Sequence, residues 1–415
     1  YYELALSLNE SGHPITILLA NNSIQDGIEI IQSGLKILGV NTNDLSRIEV
    51  NREIAKHIKI IKPEIIHVHE WLGLGSNLKD FQEGEKAKII VGLHGPTAWT
   101  RRGNPWPRDI NNNLTISENS LYEEGIIRAL ETDLILNADI LISPSIYMNN
   151  WVQRNFNLNE NKIISQRNCP MDKGKNPLSI PSTSSNEKTL VFFGRLEERK
   201  GIILFLDAIE KTNFKAKKIF FLGNDCMIRE ERMASKIISE RLEKLKILYE
   251  IKEGLNREQA LVLLREINSI VIIPSIIENS PCVVEELLNS NLKVITTKTG
   301  GTEELILKSD RKWLSKPNSI ALAKKIDQAL STTSDSDFRL HEEILGWKIR
   351  LSWQAFHERL PIQREINDIA SEKKISLGKK IINKSRHTSK KIYILTKDFI
   401  RNNVKGWLLA IGIKR

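Results

Sequence analysis

The amino-acid sequence predicts an α/β protein made of two doubly wound domains in tandem. Short, continuous apolar runs alternate with longer helical or polar stretches in both halves of the 415-residue chain, and a polar stretch separates the halves. Continuous apolar runs are typical of strands buried on both faces, as in parallel sheets covered by helices. The length is sufficient for two hydrophobic cores.

Each half has its own set of predicted strands. In the first half they are ITILLA (15–20), EIIHVHE (64–70), AKIIVGLHG (87–95), ADILISPS (138–145) and KIISQRN (162–168). In the second half they are TLVFFG (189–194), KIFFLG (218–223), KILYEI (246–251), SIVIIPS (269–275) and LKVITT (292–297). The stretch between them, 174–188, is rich in Pro, Ser, Asn and Lys and has no periodicity, which indicates a domain boundary near residue 180.

The opening residues follow a helical pattern. Leu4, Ala5 and Leu8 are apolar at helical spacing, and Gly12 is placed to end the helix. We therefore expect a helix at the start and a first domain whose first strand is missing.

The cysteine and hydropathy patterns limit the classes of protein. Three cysteines without a CxxC pair fit neither a disulfide framework nor a zinc cluster, so a reducing compartment is expected. No apolar run approaches the roughly 18 residues that a membrane span requires, and no signal peptide is recognisable. We expect a cytoplasmic protein that is soluble or peripheral to a membrane.

The net charge of +10 is concentrated near the end of the chain. Residues 371–415 contain 13 basic and two acidic residues, so the rest of the chain is nearly neutral and binding to nucleic acid is not expected. From about Lys390, apolar residues recur mostly at steps of three and four with basic residues between them. This pattern predicts a basic amphipathic helical tail on an anionic membrane surface, and a solvated or partly docked helix is the alternative.

Several familiar sites are not supported by the sequence. Neither GxGxxG after a strand nor GxxxxGK[ST] is present, which argues against nicotinamide-cofactor and P-loop proteins. Asp335 and Asp337 form a DxD within a polar run and are interpreted as a helix-capping loop. His67 and His69 share one face of a strand but lack a recognisable third ligand, so we expect no metal site.

The first candidate phosphate site follows the strand at 189–194. Glycines 194 and 201 lie where a strand meets a helix that begins at Ile202, and they allow the backbone to approach a ligand. Arg195 and Lys200 place two cations there, as binding of a diphosphate requires. A solvated basic turn is the alternative interpretation.

The second candidate site follows the strand at 269–275. Asn279 and Ser280 can cap a helix whose first turn begins with Pro281, and the helix N-terminus can bind an anion. Glu278 and Glu286 stand eight residues apart, and acids beside a phosphate site suit hydrogen bonds from sugar hydroxyls. For either glutamate alone, an ordinary capped helix with a solvated side chain remains the alternative.

Taken together, these motifs resemble the family 4 glycosyltransferases of the GT-B fold. GRLEERKG (194–201), the Glu278-x7-Glu286 pair and TGGTEE (299–304) occur in that family's order and spacing, and HVHEW, LHG and ADILISPSIYM resemble its acceptor domain. The resemblance covers about residues 1–360. It implies two Rossmann-like domains facing a central cleft. It also divides the chain into 1–180 for acceptor binding, 187–335 for donor binding, 336–370 as helices packing back toward the first domain, and 371–415 as the basic tail.

The resemblance also implies an activity and residue roles. The expected enzyme is a retaining, metal-independent hexosyltransferase of polysaccharide biosynthesis that uses a nucleotide-diphosphate sugar, without a cofactor, and a glycan or lipid-linked acceptor at the inner membrane face. Arg195 and Lys200 would hold the diphosphate, Glu278 the sugar hydroxyls and Glu286 the ribose, while His94 would face the sugar. The remaining expected donor-binding residues are Gly194, Asn279, Ser280, Pro281, Cys282 and Val283.

Two departures from the family pattern leave alternatives open. The family's first strand and its glycine-rich loop have no counterpart at the start of the chain, and Asn-Ser-Pro after Glu278 leaves the sugar identity open. The alternatives are a nucleotide-sugar epimerase or phosphorylase of GT-B shape, or a non-catalytic module that binds sugar nucleotides.

Overall fold

The computed structural model describes residues 2–21, 29–32, 34–81, 87–103, 117–169, 188–213, 218–228, 232–290, 292–331, 346–360 and 392–396. The predicted linker, apart from its last residue, Lys188, and the Asp335–Asp337 loop lie outside these residues. So does the tail, apart from 392–396.

Helices cover both faces of two separate sheets. The helices are α1 (Tyr2–Glu10), α2 (Arg47–Ile61), α3 (Thr97–Thr100), α4 (Glu118–Asn137), α5 (Ile146–Phe156), α6 (Ile202–Ile209), α7 (Ala234–Lys244), α8 (Arg257–Glu266), α9 (Cys282–Asn289), α10 (Ser319–Ser331) and α11 (Gly346–Arg359). The strands are β1 (Ile15–Asn21), β2 (Glu29–Gln32), β3 (Leu35–Asn41), β4 (Ile65–His69), β5 (Lys88–Gly92), β6 (Ile140–Ser143), β7 (Ile163–Ser165), β8 (Thr189–Phe193), β9 (Lys218–Leu222), β10 (Met227–Ile228), β11 (Arg232–Met233), β12 (Leu248–Lys252), β13 (Ser269–Ile273), β14 (Lys293–Thr297), β15 (Leu314–Ser315) and β16 (Ile392–Thr396).

The N-terminal domain contains an eight-stranded sheet in the order β2-β3-β1-β16-β4-β5-β6-β7. Every neighbouring pair is parallel except β2 and β3, which are antiparallel at one edge. The apolar runs of β1 and β4 are buried on both faces, with Leu18 and Ile66 each 1% exposed. This burial is why these strands read as continuous rather than alternating apolar runs.

The C-terminal domain contains a six-stranded parallel sheet in the order β12-β9-β8-β13-β14-β15. At its centre the rings of Phe192, Phe205 and Phe221 pack together, with centroids 5.6–6.1 Å apart. The sheet therefore presents the carboxyl ends of β8 and β13 side by side, which is where an open parallel sheet binds its ligand.

The tail differs from the sequence prediction. Residues 392–396 form strand β16, not part of an amphipathic helix, and β16 lies between β1 and β4. A strand thus occupies the centre of the sheet, in the domain where we expected one to be missing. The physical reason is that a β-prone apolar segment forms backbone hydrogen bonds with the edges of two strands, β1 and β4, at once. These bonds outweigh the helical spacing of its side chains.

Helix α11 follows the C-terminal domain in sequence but packs on the N-terminal one. Arg350 pairs with Glu3 of α1 at 2.8 Å. The indole N–H of Trp353 donates to the carbonyl of Arg167 at 2.8 Å, and Gln354 donates to the carbonyl of Ser7. Helix α11 thereby links the end of the second domain to the first.

In the part of the chain that the structure describes, no helix combines the length and apolarity that crossing a bilayer demands.

Candidate active site

The loops after β8 and β13 are in direct backbone contact. Gly201 has φ +82 and immediately precedes α6, and a Cβ on it would collide with the carbonyl oxygen of Pro274. The N–H of Ile276 donates to the carbonyl of Arg199 at 2.9 Å. Glycine is required at this junction because both the left-handed conformation and the close approach exclude a side chain.

Lys200 and Glu278 meet at this junction. The Nζ of Lys200 lies 2.6 Å from Oε2 of Glu278, and their side chains are only 20% and 12% exposed. The sequence predicted both residues from separate motifs 78 positions apart, and the structure joins them in one ion pair. This places a cation and a hydroxyl-accepting carboxylate at the same strand ends.

Arg195 lies at the end of β8 but has a different partner. Its guanidinium pairs with Glu197 at 3.1 Å, and its side chain is half exposed. Arg199 pairs with the same oxygen of Glu197 at 3.0 Å. Gly194 precedes Arg195 with φ +143, next to the side chain of Lys200. Arg195 is thus close in sequence to Lys200, but its guanidinium forms an ion pair with Glu197 and not with Glu278.

Asn279 connects the two domains. Its amide nitrogen donates to the carbonyls of Leu93 and His94 at 3.1 and 2.9 Å, and its oxygen accepts from the hydroxyl of Ser145 at 2.5 Å. Asn279 is buried, so these bonds satisfy a side chain that would otherwise be costly to desolvate. They also hold the backbone of His94, an exposed residue, against the loop after β13 of the C-terminal domain.

The prediction that Asn279 or Ser280 caps helix α9 is wrong. Pro281 occupies the N-cap position, and within the described residues no side chain caps this helix. Asn279 is engaged across the cleft instead. Cys282 and Val283 form the first turn of α9, whose N–H groups can therefore be met by an anionic ligand.

Glu286 lies on α9 one turn beyond these residues. Its Oε2 is 3.3 Å from Nε of Arg257 at the start of α8, and its side chain is 24% exposed. It is thus held at the carboxyl-end side of the sheet. Its neighbour Glu285 is buried, and burial together with the charge of Glu286 raises the pKa of Glu285 to about 7. Sequence analysis had not singled out Glu285.

The two glycines of the TGGTEE motif support the loop that carries Glu278 and Asn279. A Cβ on Gly300, which has φ +55, would collide with the carbonyl oxygen of Glu278. A Cβ on Gly301 would collide with the carbonyl of Asn279 and with the side chain of Ser145. The N–H of Gly301 also donates to the carbonyl of Asn279 at 2.9 Å.

Glu304 of the same motif makes a second link between the domains. Its carboxylate accepts from the N–H groups of Ile146 and Tyr147, at 2.9 and 3.0 Å, in the first turn of α5. It also pairs with Arg167 at 3.0 Å. A negative charge from the C-terminal domain thus stabilises a helix N-terminus of the N-terminal domain.

Two buried glutamates position loops of the N-terminal domain. Glu70 follows β4 and accepts from the N–H groups of His94 and Gly95. Glu131 on α4 accepts from the N–H of Leu72 at 3.2 Å and from both the N–H and the hydroxyl of Thr97 at 2.7 Å. These carboxyl groups replace water as partners of the loop backbone. The sequence offered no signal for their role beyond the presence of Glu70 in HVHE.

The electrostatics of Glu70 follow from its burial. Complete burial raises the pKa of Glu70 to about 8, against the opposing effect of the two backbone N–H bonds, and nearby Glu131 adds to the increase. Burial likewise raises the pKa of Glu131. Glu70 therefore holds a proton in the folded protein at neutral pH.

Comparisons with known proteins decide the family. The family described as "Glycosyl transferases group 1" matches residues 179–343, and "Glycosyltransferase Family 4" matches residues 1–165. The chain belongs to the group 1/family 4 glycosyltransferases. It is therefore a glycosyltransferase enzyme, and its two Rossmann-like domains form the GT-B fold, as the sequence motifs predicted. A search of curated proteins found no match.

Solved structures support the same fold. Sucrose-phosphate synthase from Thermosynechococcus elongatus aligns with TM-score 0.62 and 15% identity, covering 89% of this chain and 91% of that one. A glycosyltransferase from Rickettsia africae ESF-5 aligns with TM-score 0.55 and 18% identity, covering 90% and 94%. Anabaena Alr3699/HepE in complex with UDP-glucose aligns with TM-score 0.53 and 14% identity, covering 86% and 99%.

The close packing around Gly301 leads to a first prediction. Gly301→Ala should lower the free energy of unfolding by about 1–3 kcal/mol, because the added methyl group forces apart Asn279 and Ser145. Gly125→Ala is the control, since a Cβ there meets nothing within 4 Å. Urea unfolding of both variants measures the effect. Equal stability of Gly301→Ala and the unsubstituted protein would contradict the proposed packing.

Glu70 makes a second prediction, on pH. The pKa of Glu70 is about 8 in the folded protein, whereas an unfolded carboxyl has its usual pKa of 4.5. The contribution of Glu70 to the free energy of unfolding is therefore complete below pH 4.5 and is lost progressively as the pH rises to about 8. Glu70→Gln should remove this part of the pH dependence. The free energy of unfolding of the variant should therefore rise relative to that of the unsubstituted protein between pH 6 and pH 9. Urea unfolding at both values tests it, with exposed Glu123→Gln as control. A constant difference between variant and parent would overturn the assignment.

Proposed function

We propose that this glycosyltransferase moves a hexose-type sugar from a nucleotide-diphosphate donor, with retention of anomeric configuration and without a metal ion. The observation that carries the proposal is the Lys200–Glu278 ion pair beside the uncapped N-terminus of α9. Together they offer a cation and backbone N–H groups for a diphosphate, and a carboxylate for sugar hydroxyls.

Breaking the bond between the sugar and the diphosphate leaves negative charge on the leaving phosphate. Lys200 and the first-turn N–H groups of Cys282 and Val283 are fixed dipoles and charges that can stabilise it. Arg195, half exposed at the end of β8, can add a second cation by leaving Glu197. In this proposal these groups do the work that a divalent ion does elsewhere.

The other predicted residues receive roles consistent with their positions. Glu286, held by Arg257 along α9, would accept hydrogen bonds from the nucleotide ribose. His94, whose backbone carbonyl accepts from Asn279, would face the donor sugar. The related Anabaena protein was solved with UDP-glucose, which supports a nucleotide-sugar donor of this kind here. Retention follows from the resemblance to the family.

A third prediction tests the reaction. With EDTA present and a panel of nucleotide sugars and cell-derived acceptors, one donor should release its nucleoside diphosphate, and Lys200→Ala should lower the rate by about a hundredfold or more. Glu286→Ala should weaken donor use through the ribose. Lys211→Ala, at an exposed position just after α6, is the control.

The outcomes separate the alternatives. Donor binding without release would favour a non-catalytic module, and a rearranged sugar still bound to its nucleotide would favour an epimerase. Release that requires a divalent ion would overturn metal independence. An acceptor product with inverted anomeric configuration by NMR would overturn retention.

The acceptor and location form a separate part of the proposal. We infer a glycan or lipid-linked acceptor in polysaccharide biosynthesis, at the inner face of the membrane. The excess of basic residues in 371–415 supports attraction to anionic lipid, each contributing about 1 kcal/mol.

A fourth prediction tests this attraction without disturbing β16. Replacing Lys373, Lys374, Lys379 and Lys380 by Gln should abolish most binding to vesicles that contain anionic lipid. Four matched replacements at Lys211, Lys236, Lys246 and Lys325, outside the tail, are the control. Unchanged vesicle binding of the tail variant would overturn the membrane proposal.

A further inference from the structure

We propose that His69 is a positioning residue that holds the imidazole ring of His94 by stacking against it, and that it affects sugar transfer only through His94. The inference deepens the proposed function and rests on it, because His94 is the residue that would face the donor sugar there. The contact between the two rings needs no substrate. It can therefore be tested separately from the reaction.

The sequence of β4 places His69 at the carboxyl end of the strand. Side chains alternate between the two faces of a strand, so His67 and His69 of the HVH run share one face. His67 is fully buried against α11, where its ring lies 5.6 Å from that of Trp353. His69 is the last residue of β4 and is only half-buried. The alternation thus puts one histidine in the core and the other at the edge of the sheet where ligands bind.

The neighbouring strand places the ring of His94 beside that of His69. In the parallel pairing of β4 and β5, His69 lies opposite Gly92, which has no side chain. His94 follows two residues later, and its ring centroid lies 4.1 Å from that of His69, with the ring planes inclined by 38°. At this separation the two rings are in direct contact. The contact joins the ends of two adjacent strands.

His94 is held both by its backbone and by its ring. Its N–H donates to the carboxyl group of Glu70 at 2.8 Å, and its carbonyl accepts from the side-chain amide of Asn279 at 2.9 Å. These two bonds fix the backbone but leave the side-chain torsions of His94 free to change rotamer. The ring of His69 restricts those torsions from one side. Backbone and ring of His94 are thus positioned by different residues.

The supporting ring carries no charge at neutral pH. Burial lowers the pKa of His69 well below its usual value of 6.5, and the neighbouring His94 adds to the decrease. Glu70, the next residue, is protonated at neutral pH and therefore adds no negative charge beside the rings. His69 thus offers His94 an uncharged surface. A neutral imidazole has one N–H donor and one nitrogen acceptor, which suits hydrogen bonds with sugar hydroxyls.

The position of the His94 ring matters for the proposed reaction. A displacement of about 1 Å in a group that contacts the substrate can lower a rate about a hundredfold. Without the ring of His69, the ring of His94 can turn away from the place where it would meet the donor sugar. We therefore expect His69 to affect the rate although it need not contact the donor or the acceptor.

The fifth prediction concerns the stack. In the full chain labelled with ¹³C-histidine, the ring signal of His94 is identified by its loss in His94→Gln. This signal should move in His69→Ala and stay near its original position in His69→Phe, which keeps an aromatic ring. His57→Ala, on α2, is the matched control and should leave the signal unchanged. The same His94 signal in His69→Ala and in the unsubstituted protein would overturn the proposal.

The same variants test the effect on the reaction through release of the nucleoside diphosphate. His69→Ala should lower kcat/KM by about tenfold or more, and His69→Phe should restore it to within about threefold. The double variant of His69→Ala and His94→Ala should be no slower than His94→Ala alone, because the effect of His69 passes through His94. Losses that add in the double variant, or no recovery in His69→Phe, would overturn the positioning role.

Failure of this inference can be distinguished from failure of the proposed function. If His94→Ala is as fast as the unsubstituted protein, the role of His94 toward the donor sugar is wrong. If His94→Ala is slow and His69→Ala is not, only the positioning role of His69 is wrong. Urea unfolding shows whether each variant is folded under the assay conditions. His69→Leu, which fills a similar volume without an aromatic ring, replaces His69→Ala in both measurements if that variant is unfolded.

Discussion

The hydrogen bonds of Asn279 between the two domains are the interaction on which the candidate site depends. A single buried amide uses both its donor and its acceptor atoms to join the loop after β13 to the carbonyls of Leu93 and His94 and to the hydroxyl of Ser145 in the N-terminal domain. Because the neighbouring residue is Glu278, the same loop that binds Lys200 also sets the distance to the opposite domain. Gly301 packs directly against this loop, with no room for a Cβ. Glu304, in the same motif, accepts a hydrogen bond from the first N–H of α5. The loops that carry Lys200, Glu278 and Gly301 are therefore linked to the N-terminal domain through Asn279 and Glu304.

Buried carboxyl groups hold the loops of the N-terminal domain. A loop that leaves a parallel sheet exposes backbone N–H groups that must be paired when water is excluded. Glu70 and Glu131 supply the acceptors from within the domain. Burial makes their ionisation unfavourable, which is why their pKa values rise. The folded domain is therefore expected to lose stability as the pH rises toward 8, while Glu70 accepts a hydrogen bond from the N–H of His94.

The sequence was sufficient to predict the fold class, most central strands and the motifs of the donor domain. Continuous apolar runs marked β1, β4, β8 and β13, and the glycines around Lys200 marked a junction that proves to be sterically required. These features are local, so spacing along the chain is enough to detect them. The family resemblance then linked motifs that are distant in sequence.

What the sequence did not reveal depends on contacts between distant segments. The spacing after Lys390 fitted a helix, yet β16 is selected by two open strand edges more than 320 residues away in sequence. Asn279 is of a residue type that often caps helices, but its hydrogen-bond partners are in the other domain. The pairing of Glu70 and Glu304 with backbone N–H groups leaves no periodic signal at all. Each case is decided by tertiary burial of backbone polar groups.

The most direct test of the central claim is the coupling between Lys200 and the donor's second phosphate. Calorimetry would compare the tightest-binding nucleoside diphosphate with its monophosphate, in the unsubstituted protein and in Lys200→Ala. If Lys200 and the N-terminus of α9 bind the diphosphate, removing the second phosphate should weaken binding strongly in the unsubstituted protein and much less in the variant. An equal loss of affinity in both proteins would show that Lys200 does not contact that phosphate, and would contradict the account.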